Sequence, residues 1–379
     1  LFVLRIAVIA VVSEQGLWRR SGDVEMKTKL LISITIYAAI SGSAYAQSSV
    51  TLSGLLGTGI SYSNNAGKGS SLYQMTGSHA VPFWAISGRE ELDTDTSAFF
   101  RLSQYAFINN GTSSPFESYL GLKSSKVGTL TLGSMYDLLA DLVPFTSERF
   151  TSFLATHPGN LDRTVGNSLN NLIKYKSPVF GGALQFGAQY GFGEQGSATN
   201  TGRTVGAEAS FTSGRFQSVL VWESVDGVPY APYTRLGVSE LYGINFGANH
   251  SRTVSQNQNT TTLGVAYAGD TVRAMGNYSY TRLTAAGQSE TAQTIDVGAY
   301  KYITTQMRIG GGYSYTKLDT YKWNQLHAHL DYALSKRTSL YLLSVLQIAG
   351  SGQLAVLRNQ APASTSRQLE MEVGMTHLF

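Results

Sequence analysis

The chain has no cysteine, 8 prolines, and only 14% Asp, Glu, Lys and Arg across its 379 residues. Without thiols there can be no disulfide scaffold, Fe–S cluster, thiolate zinc site or cysteine nucleophile. An ordinary soluble protein carries roughly 25% charged residues, so the shortage of charge here argues against a conventional soluble surface. Aromatics reach 11% and the net charge is only +4, which excludes a disordered composition. The basic residues form no cluster suited to a phosphate backbone, so no nucleic-acid partner is expected. Beyond the N-terminal region no apolar run approaches the ~18 residues of a membrane helix. What is abundant is glycine, 40 residues, without the strict period of collagen, together with Tyr, Ser and Thr. These point to β-structure in contact with something apolar.

Residues 1–46 read as processing sequence. Met26-Lys27-Thr28-Lys29 is a basic start, 30–40 an apolar core too short to span, and Ala44-Tyr45-Ala46 an A-x-A cleavage site. The expected division is a spurious upstream extension over 1–25, a signal peptide over 26–46, and a mature domain over 47–379 beginning at Gln47.

The dominant period in that domain is two. Over 323–333 one face carries Leu326, Ala328, Leu330 and Tyr332, and the other Gln325, His327, His329 and Asp331. The stretches 50–62, 294–302 and 306–316 alternate in the same way, which is a half-buried strand signal. Strands of about ten residues are joined alternately by tight turns, such as Ala268-Gly269-Asp270-Thr271, and by long polar loops. A soluble β-sandwich or propeller could share the period. The signal peptide, the turn and loop asymmetry, and a last strand with Met371, Val373, Met375 and Phe379 in one apolar phase favour a transmembrane β-barrel. The count is sixteen antiparallel strands, the first near 48, the second near 83 and the last near 367. The stretch 227–259 is least regular, with 241–248 a candidate strand extension inside a long loop.

Several segments carry a family resemblance. They are Ser49-Val50-Thr51-Leu52-Ser53-Gly54, Gly128-Thr129-Leu130-Thr131-Leu132-Gly133, the run 170–194 through Lys174-Tyr175-Lys176-Ser177-Pro178, Tyr332-Ala333-Leu334-Ser335-Lys336-Arg337, and the ending Val373-Gly374-Met375-Thr376-His377-Leu378-Phe379. Across 47–379 the chain resembles the trimeric general-diffusion porins of Gram-negative outer membranes, of the neisserial and Burkholderia type. The resemblance implies a bacterial outer-membrane porin: a sixteen-strand barrel around a water-filled pore, passing small hydrophilic solutes and ions by passive diffusion. It also implies a homotrimer, contact with outer-membrane lipids and lipopolysaccharide, and folding by the barrel-assembly machinery, with Phe379 as an assembly signal. The third extracellular loop, about 136–166, would fold inward. Its acids Asp137, Asp141, Glu148 and Asp162 would face wall cations, with Arg149 and Arg163 as counter-charges on the loop. Arg89, Arg101, Arg163 and Lys174, with Lys176 nearby, are the cations expected at the pore. Where the family has Arg or Lys on the wall, this chain has Phe83, Ser87, Phe116 and Ser134. That loss puts an anion preference in doubt, suggests aromatic bulk in the lumen, and leads to an expectation of weak cation selectivity or near neutrality.

Other motifs give less. Gly191-Phe192-Gly193-Glu194-Gln195-Gly196 fits G-x-G-x-x-G but opens a polar loop rather than a helix, so no nucleotide site is expected. His327, His329 and Asp331 share a face and could ligate a metal, although lumen-lining polar residues explain them more simply. No nucleophile motif is present, so neither catalysis nor a cofactor is expected. The competing reading is a structural or adhesive outer-membrane barrel with a restricted lumen.

Overall fold

The computed structural model describes residues 49–67, 69–75, 77, 79–147, 152–193 and 201–379. The expected leader, the Gln47 terminus, Glu148 and Arg149 lie outside the described residues.

The strands are β1 (Ser49–Ala66), β2 (Gly69–Met75), β3 (Phe83–Glu91), β4 (Thr96–Phe107), β5 (Thr112–Ser124), β6 (Gly128–Tyr136), β7 (Ser168–Lys176), β8 (Leu184–Phe192), β9 (Arg203–Ser213) and β10 (Phe216–Tyr230). After a short β11 (Glu240–Leu241) and β12 (Ile244–Asn245) come β13 (Val254–Ala268), β14 (Val272–Ala285), β15 (Gln288–Tyr302), β16 (Met307–Leu318), β17 (Tyr321–Ala333), β18 (Thr338–Ala349) and β19 (Arg367–Leu378). Each long strand pairs antiparallel with its sequence neighbour, and β19 returns to pair with β1, closing the sheet. One half of β1 pairs with β2 and the other half with β3. Those two therefore share one position, and the 17-stranded sheet has sixteen positions around the barrel. Closure leaves no open edge, which is what a sheet spanning lipid requires.

Burial is inverted relative to a soluble protein. On β13, Leu263 and Val265 are 47% and 51% exposed, while Gln256 and Thr262 are at 0%. The same inversion runs along β14, β15 and β17: apolar phase outward, polar phase inward. Outward rings cluster toward the two strand ends, with Phe186, Phe211, Phe216, Tyr267 and Tyr302 near the short turns and Phe192, Trp222, Tyr280 and Tyr313 toward the opposite rim. Such girdles flank the hydrocarbon band of a barrel in lipid.

Connections at one rim are short throughout, such as 92–95, 214–215 and 334–337. The other rim carries the long loops 137–167, 193–202, 231–253 and 350–366. The sixteen expected strands are present, with three differences. An additional strand, β2, precedes the second expected strand, β3, and 79–82 before β3 lies outside the sheet. The stretch 241–248 is a small hairpin of its own, β11 with β12, not a barrel-strand extension. Strand β5 begins at Thr112, ahead of Phe116, and the β4–β5 register shifts between Leu102 and Gln104. At that shift Ser103 bridges the bulge: its hydroxyl accepts from the Glu117 N–H at 3.1 Å and donates to the Glu117 carbonyl at 3.3 Å.

Candidate pore constriction

The loop 137–167 begins where β6 ends and is pinched at its neck. The Asp137 N–H donates to the Asn167 carbonyl at 3.0 Å. Lys174 on β7 donates to the Tyr136 carbonyl at 2.5 Å and lies 3.3 Å from that of Asp137. From the neck a 3-10 turn, Leu138–Phe145, lays Leu138, Leu139, Leu142 and Phe145 against Val219 and Val221 of β10, Ala266 of β13 and Met275 of β14. These wall residues lie on the phase opposite the lipid-exposed one, so the loop packs against the inside of the barrel.

Glycines on the wall make room for it. A Cβ on Gly298 or Gly312 would come within 2.4 Å of the Ser147 Cβ, and one on Gly264 within 2.7 Å of the Phe145 Cβ. Glycine on the lumen phase of β13, β15 and β16 is therefore a seat for the loop.

Polar side chains then fix it. The Ser147 N–H donates to Asp296 Oδ2 at 2.9 Å, and its hydroxyl meets His327 Nε2 at 2.8 Å. His157 lies between two carboxylates, Nδ1 2.7 Å from Asp162 Oδ2 and Nε2 3.2 Å from Asp296 Oδ2. Ser279 donates to Asp162 at 2.5 Å. Burial alone would push the His157 imidazole down, but Asp162 and Asp296 outweigh it and hold it well above its ordinary value. Burial likewise opposes ionisation of Asp162, yet His157, Ser279 and the Thr164 N–H keep it below the ordinary carboxylate range. At the neck, Arg163 pairs with Asp137 and lies 3.6 Å from Glu223 of β10, with all three buried. Lys176 bridges Asp141, at 2.7 Å, and Glu208 of β9.

The expected loop acids are thus accounted for, except Glu148, which lies outside the described residues. Asp137 and Asp162 are buried between loop and wall, each with its own cation partner, and Asp141 is held by Lys176. Of the expected cations, Arg163 is at 2% exposure inside the loop and Lys174 is spent on the neck. Arg89 pairs with Glu91 at 2.6 Å beside the 92–95 turn, away from the loop. Arg101 faces inward, 3.3 Å from Glu117 and 5.2 Å over the Phe83 ring, with Ser87 Oγ at 3.4 Å. Ser134 is not on the lumen wall. It pairs with Ser118, on the face that carries Leu120 and Leu132, and donates to Asn170 at 2.8 Å. A register shift between Gly133 and Met135 displaces this end of β6 from simple alternation.

The expected aromatic bulk is present. Phe116 stacks on Tyr105 at 4.3 Å and meets Phe83 at 5.9 Å and Tyr136 at 5.5 Å. Across from the loop stands the segment 79–82, which leaves the sheet and turns inward. His79 reaches Asp331 of β17 at 2.9 Å and stacks on Tyr341 of β18 at 4.6 Å. Between the two inward segments lies a cavity of about 390 Å³, lined by Ala140, Val143, Phe153 and Val165 of the loop and His79, Ala80 and Val81 opposite. His327 and His329 serve this architecture. His327 holds Ser147, while His329 Nε2 lies 3.6 Å from Asp331, which also takes two bonds from Arg308 at 2.7 and 3.0 Å. Among the described residues no group of three or more His, Cys, Asp or Glu side chains is placed to hold a metal ion.

Sequence reading missed His79, His157, Glu208, Glu223, Asp296 and Arg358. Asp296 lies on the polar phase of a recognised strand, and Gly77 with Pro82 brackets the inward segment, so a signal existed for both. Nothing local marked the others.

A closed barrel with an apolar exterior, aromatic girdles and a polar lumen narrowed by inward segments is a β-barrel of the outer-membrane class. The profile of the Gram-negative porins matches residues 33–343, and the chain belongs to that family. Outer membrane porin protein 32 of Delftia acidovorans is 32% identical over 214 residues, 51% of this chain and 58% of that protein. The chain spans about half the length of the curated relatives it matches. The anion-selective porin from Comamonas acidovorans superposes with a TM-score of 0.74 at 21% identity, covering 88% of this chain and 100% of that one. The trimer form of OmpT from Vibrio cholerae gives 0.68 at 12% identity, covering 88% and 99%. At such identities the likeness is one of fold.

Proposed function

We propose that this barrel is a passive diffusion channel of the bacterial outer membrane for small hydrophilic solutes and ions, working as a homotrimer after removal of residues 26–46. The observation that carries the reading is the seat of the loop. Glycines, a buried ion pair and the His157 latch hold it to one side of the lumen, and a cavity of about 390 Å³ remains between it and the 79–82 segment. A barrel built to be plugged would gain from filling that space; this one spends its contacts on keeping the loop against the wall. The trimer form of the OmpT neighbour supports the assembly state. The lipid-facing phase suits contact with outer-membrane lipid and lipopolysaccharide, and barrel-assembly machinery would insert the chain.

Reconstitution into planar bilayers tests this. Stepwise ohmic conductance in KCl, with steps grouped in threes, is the expected result. Membranes that incorporate folded barrel yet carry no current would overturn the channel in favour of the restricted, adhesive alternative. Mass analysis of the membrane form should find Gln47 first.

A further inference from the structure

We infer that the inner wall formed by β3, β4 and β5 is a binding track for neutral saccharides, whose rings stack on Phe107, Tyr105, Phe116 and Phe83 while their hydroxyls meet Arg101 and Glu117. This rests on the channel reading and adds a solute class to it.

A bulge brings the track together. Alternation puts Phe99, Arg101, Ser103, Tyr105 and Phe107 of β4 on one phase, opposite the exposed Leu102. On β3 the same side carries Phe83, Ala85 and Ser87, which pair with Tyr105, Ser103 and Arg101. Phe116 and Glu117 of β5 are consecutive, and in a regular strand they would face opposite sides. The register shift leaves both opposite Ser103 instead. A bulge re-aims side chains, and here both enter the lumen: Phe116 stacks on Tyr105 at 4.3 Å, and Glu117 lies 3.3 Å from Arg101.

The rings then form a line. Phe107 lies 6.0 Å from Tyr105, and Phe116 lies 5.9 Å from Phe83. Tyr136 meets Phe116 at 5.5 Å, and its hydroxyl is 3.4 Å from that of Tyr105. The Arg101 guanidinium lies 5.2 Å over Phe83, and beyond it Phe99 and Tyr119 meet edge to face at 6.3 Å. From Phe107 at the long-loop rim to Phe99 near the 92–95 turn the line follows β4 for about 26 Å, at ~3.3 Å per residue. Each of these rings keeps part of its surface open, and Tyr105, Phe107 and Tyr136 line a cavity of about 210 Å³ beside the loop.

This wall has two characters, and one solute class uses both. Arg101 and Glu117 cancel each other's charge, so the track draws ions of neither sign. With side-chain exposures of 22% and 15% they still offer planar donors and acceptors to the lumen. A pyranose ring has C–H groups on its faces and hydroxyls round its edge. The faces bury area on Phe116 and Tyr105, while the hydroxyls bond to the ion pair, to Ser87 and to Tyr136. A neutral aromatic solute would use the rings but leave Arg101 and Glu117 desolvated without a partner, which weakens binding. A line of this length takes several rings in succession, so affinity should rise with the number of linked sugars. Phe83 and Phe116 stand where the family resemblance led to an expectation of Arg or Lys, and the track occupies the stretch of wall that lacks that charge.

The test uses the folded full-length barrel in planar bilayers, with glucose, maltotriose, nicotinamide and a polyethylene glycol of the trisaccharide's size as probes. Maltotriose should lower KCl conductance at concentrations about tenfold below those of glucose, the scale on which further stacked rings contribute, and below those of both other probes. Phe116→Ala should raise the half-effect concentration of maltotriose about tenfold, and Phe116→Tyr should leave it near the wild-type value. Calorimetric titration of maltotriose into barrel held in a detergent without a sugar headgroup, against empty micelles, gives a readout that needs no current. A conducting barrel on which maltotriose acts no better than glucose or the polyethylene glycol overturns the inference and leaves the channel standing. Nicotinamide acting at the concentrations of maltotriose overturns the saccharide in favour of aromatic solutes. Phe116-dependent maltotriose binding by a barrel that carries no current overturns the channel and leaves the track. Loss of both refutes both. Should Phe116→Ala fail to fold, the four-probe comparison on the wild-type barrel decides.

Discussion

The ring of Phe379 lies directly over the bare Cα of Gly54, where a Cβ would come within 2.4 Å of its Cζ. The two residues also exchange backbone bonds, Phe379 N–H to Gly54 C=O at 3.0 Å and Gly54 N–H to Phe379 C=O at 3.1 Å. Phe379, just beyond β19, thus extends the seam with β1, and a smooth β1 surface is what admits its ring.

Removing the ring and removing the residue should therefore differ. Phe379→Ala keeps both backbone bonds and loses a half-exposed ring, a change of about 1–2 kcal/mol. Deleting Phe379 also opens the seam at Gly54. The yield of heat-modifiable barrel in the outer membrane should fall modestly for the substitution and sharply for the deletion, with translation unchanged. Equal, undiminished yields would show that the seam contact does not contribute to assembly.

The loop neck offers a second measurement. Arg163 stands buried between Asp137 and Glu223. Arg163→Met leaves two carboxylates without their cation, and breaking a buried pair from one side typically costs about 3–5 kcal/mol. Loop 137–167 should become open to protease and the channel noisier, while the strand content by circular dichroism stays constant. Adding Asp137→Asn should recover part of the loss. A protease-resistant Arg163→Met loop would show that the apolar packing of Leu138, Leu139 and Leu142 holds the neck by itself.

Much of the barrel was legible because the strand period is two and the lipid inverts it: Leu263 and Val265 mark the outside as plainly as Gln256 and Thr262 mark the lumen. Two-residue logic fails where the backbone departs from it. The bulge at Ser103, the shift after Gly133 and the departure of 79–82 from the sheet each change which way a side chain points. Ser134 was placed in the lumen by alignment to a ladder and lies outside it for that reason. Composition alone could not show that Asp162 of the loop would meet His157 and Asp137 would meet Arg163, pairs only 5 and 26 residues apart. Arg358 lies 202 residues from the Thr156 it touches, and no local pattern announces a contact at that separation.

Channel gating should depend on pH through the latch. His157 has a folded value raised above 6.5, so its contribution is complete below 6.5 and is lost as pH climbs through the raised value. Asp162 has a value lowered below 3.8, so its contribution is present above 3.8 and fails as pH falls through the lowered one. The loop should thus be quietest from about pH 4 to above 6.5 and flicker on both sides of that window, with Asp296 and Thr164 the other groups touching the imidazole. His157→Gln should abolish the alkaline limb and weaken the acid limb, since the imidazole is the largest of the groups that lower Asp162. Flicker independent of pH in the wild type, across both limits, would mean the latch does not hold the loop.

Ion selectivity is the last expectation, and the buried pairs bear on it directly. Weak cation preference required loop acids facing a bare wall. Asp137 and Asp162 instead are buried with Arg163 and His157, and Asp141 shares Lys176 with Glu208. A carboxylate with its cation beside it projects a dipole rather than a charge, and at the ~8 Å screening length of physiological salt little of that field crosses the pore. Asp162→Asn and Asp137→Asn should therefore leave the reversal potential in a KCl gradient almost unmoved. Arg235→Gln should shift it toward cations, because its guanidinium group lines a cavity at the long-loop rim. At an effective dielectric of ~20, a unit charge ~10 Å from a passing ion acts with roughly 1.7 kcal/mol, enough for a several-fold change in the permeability ratio from one arginine. A large shift on removing Asp137 or Asp162, with none on removing Arg235, would return control of selectivity to the loop acids.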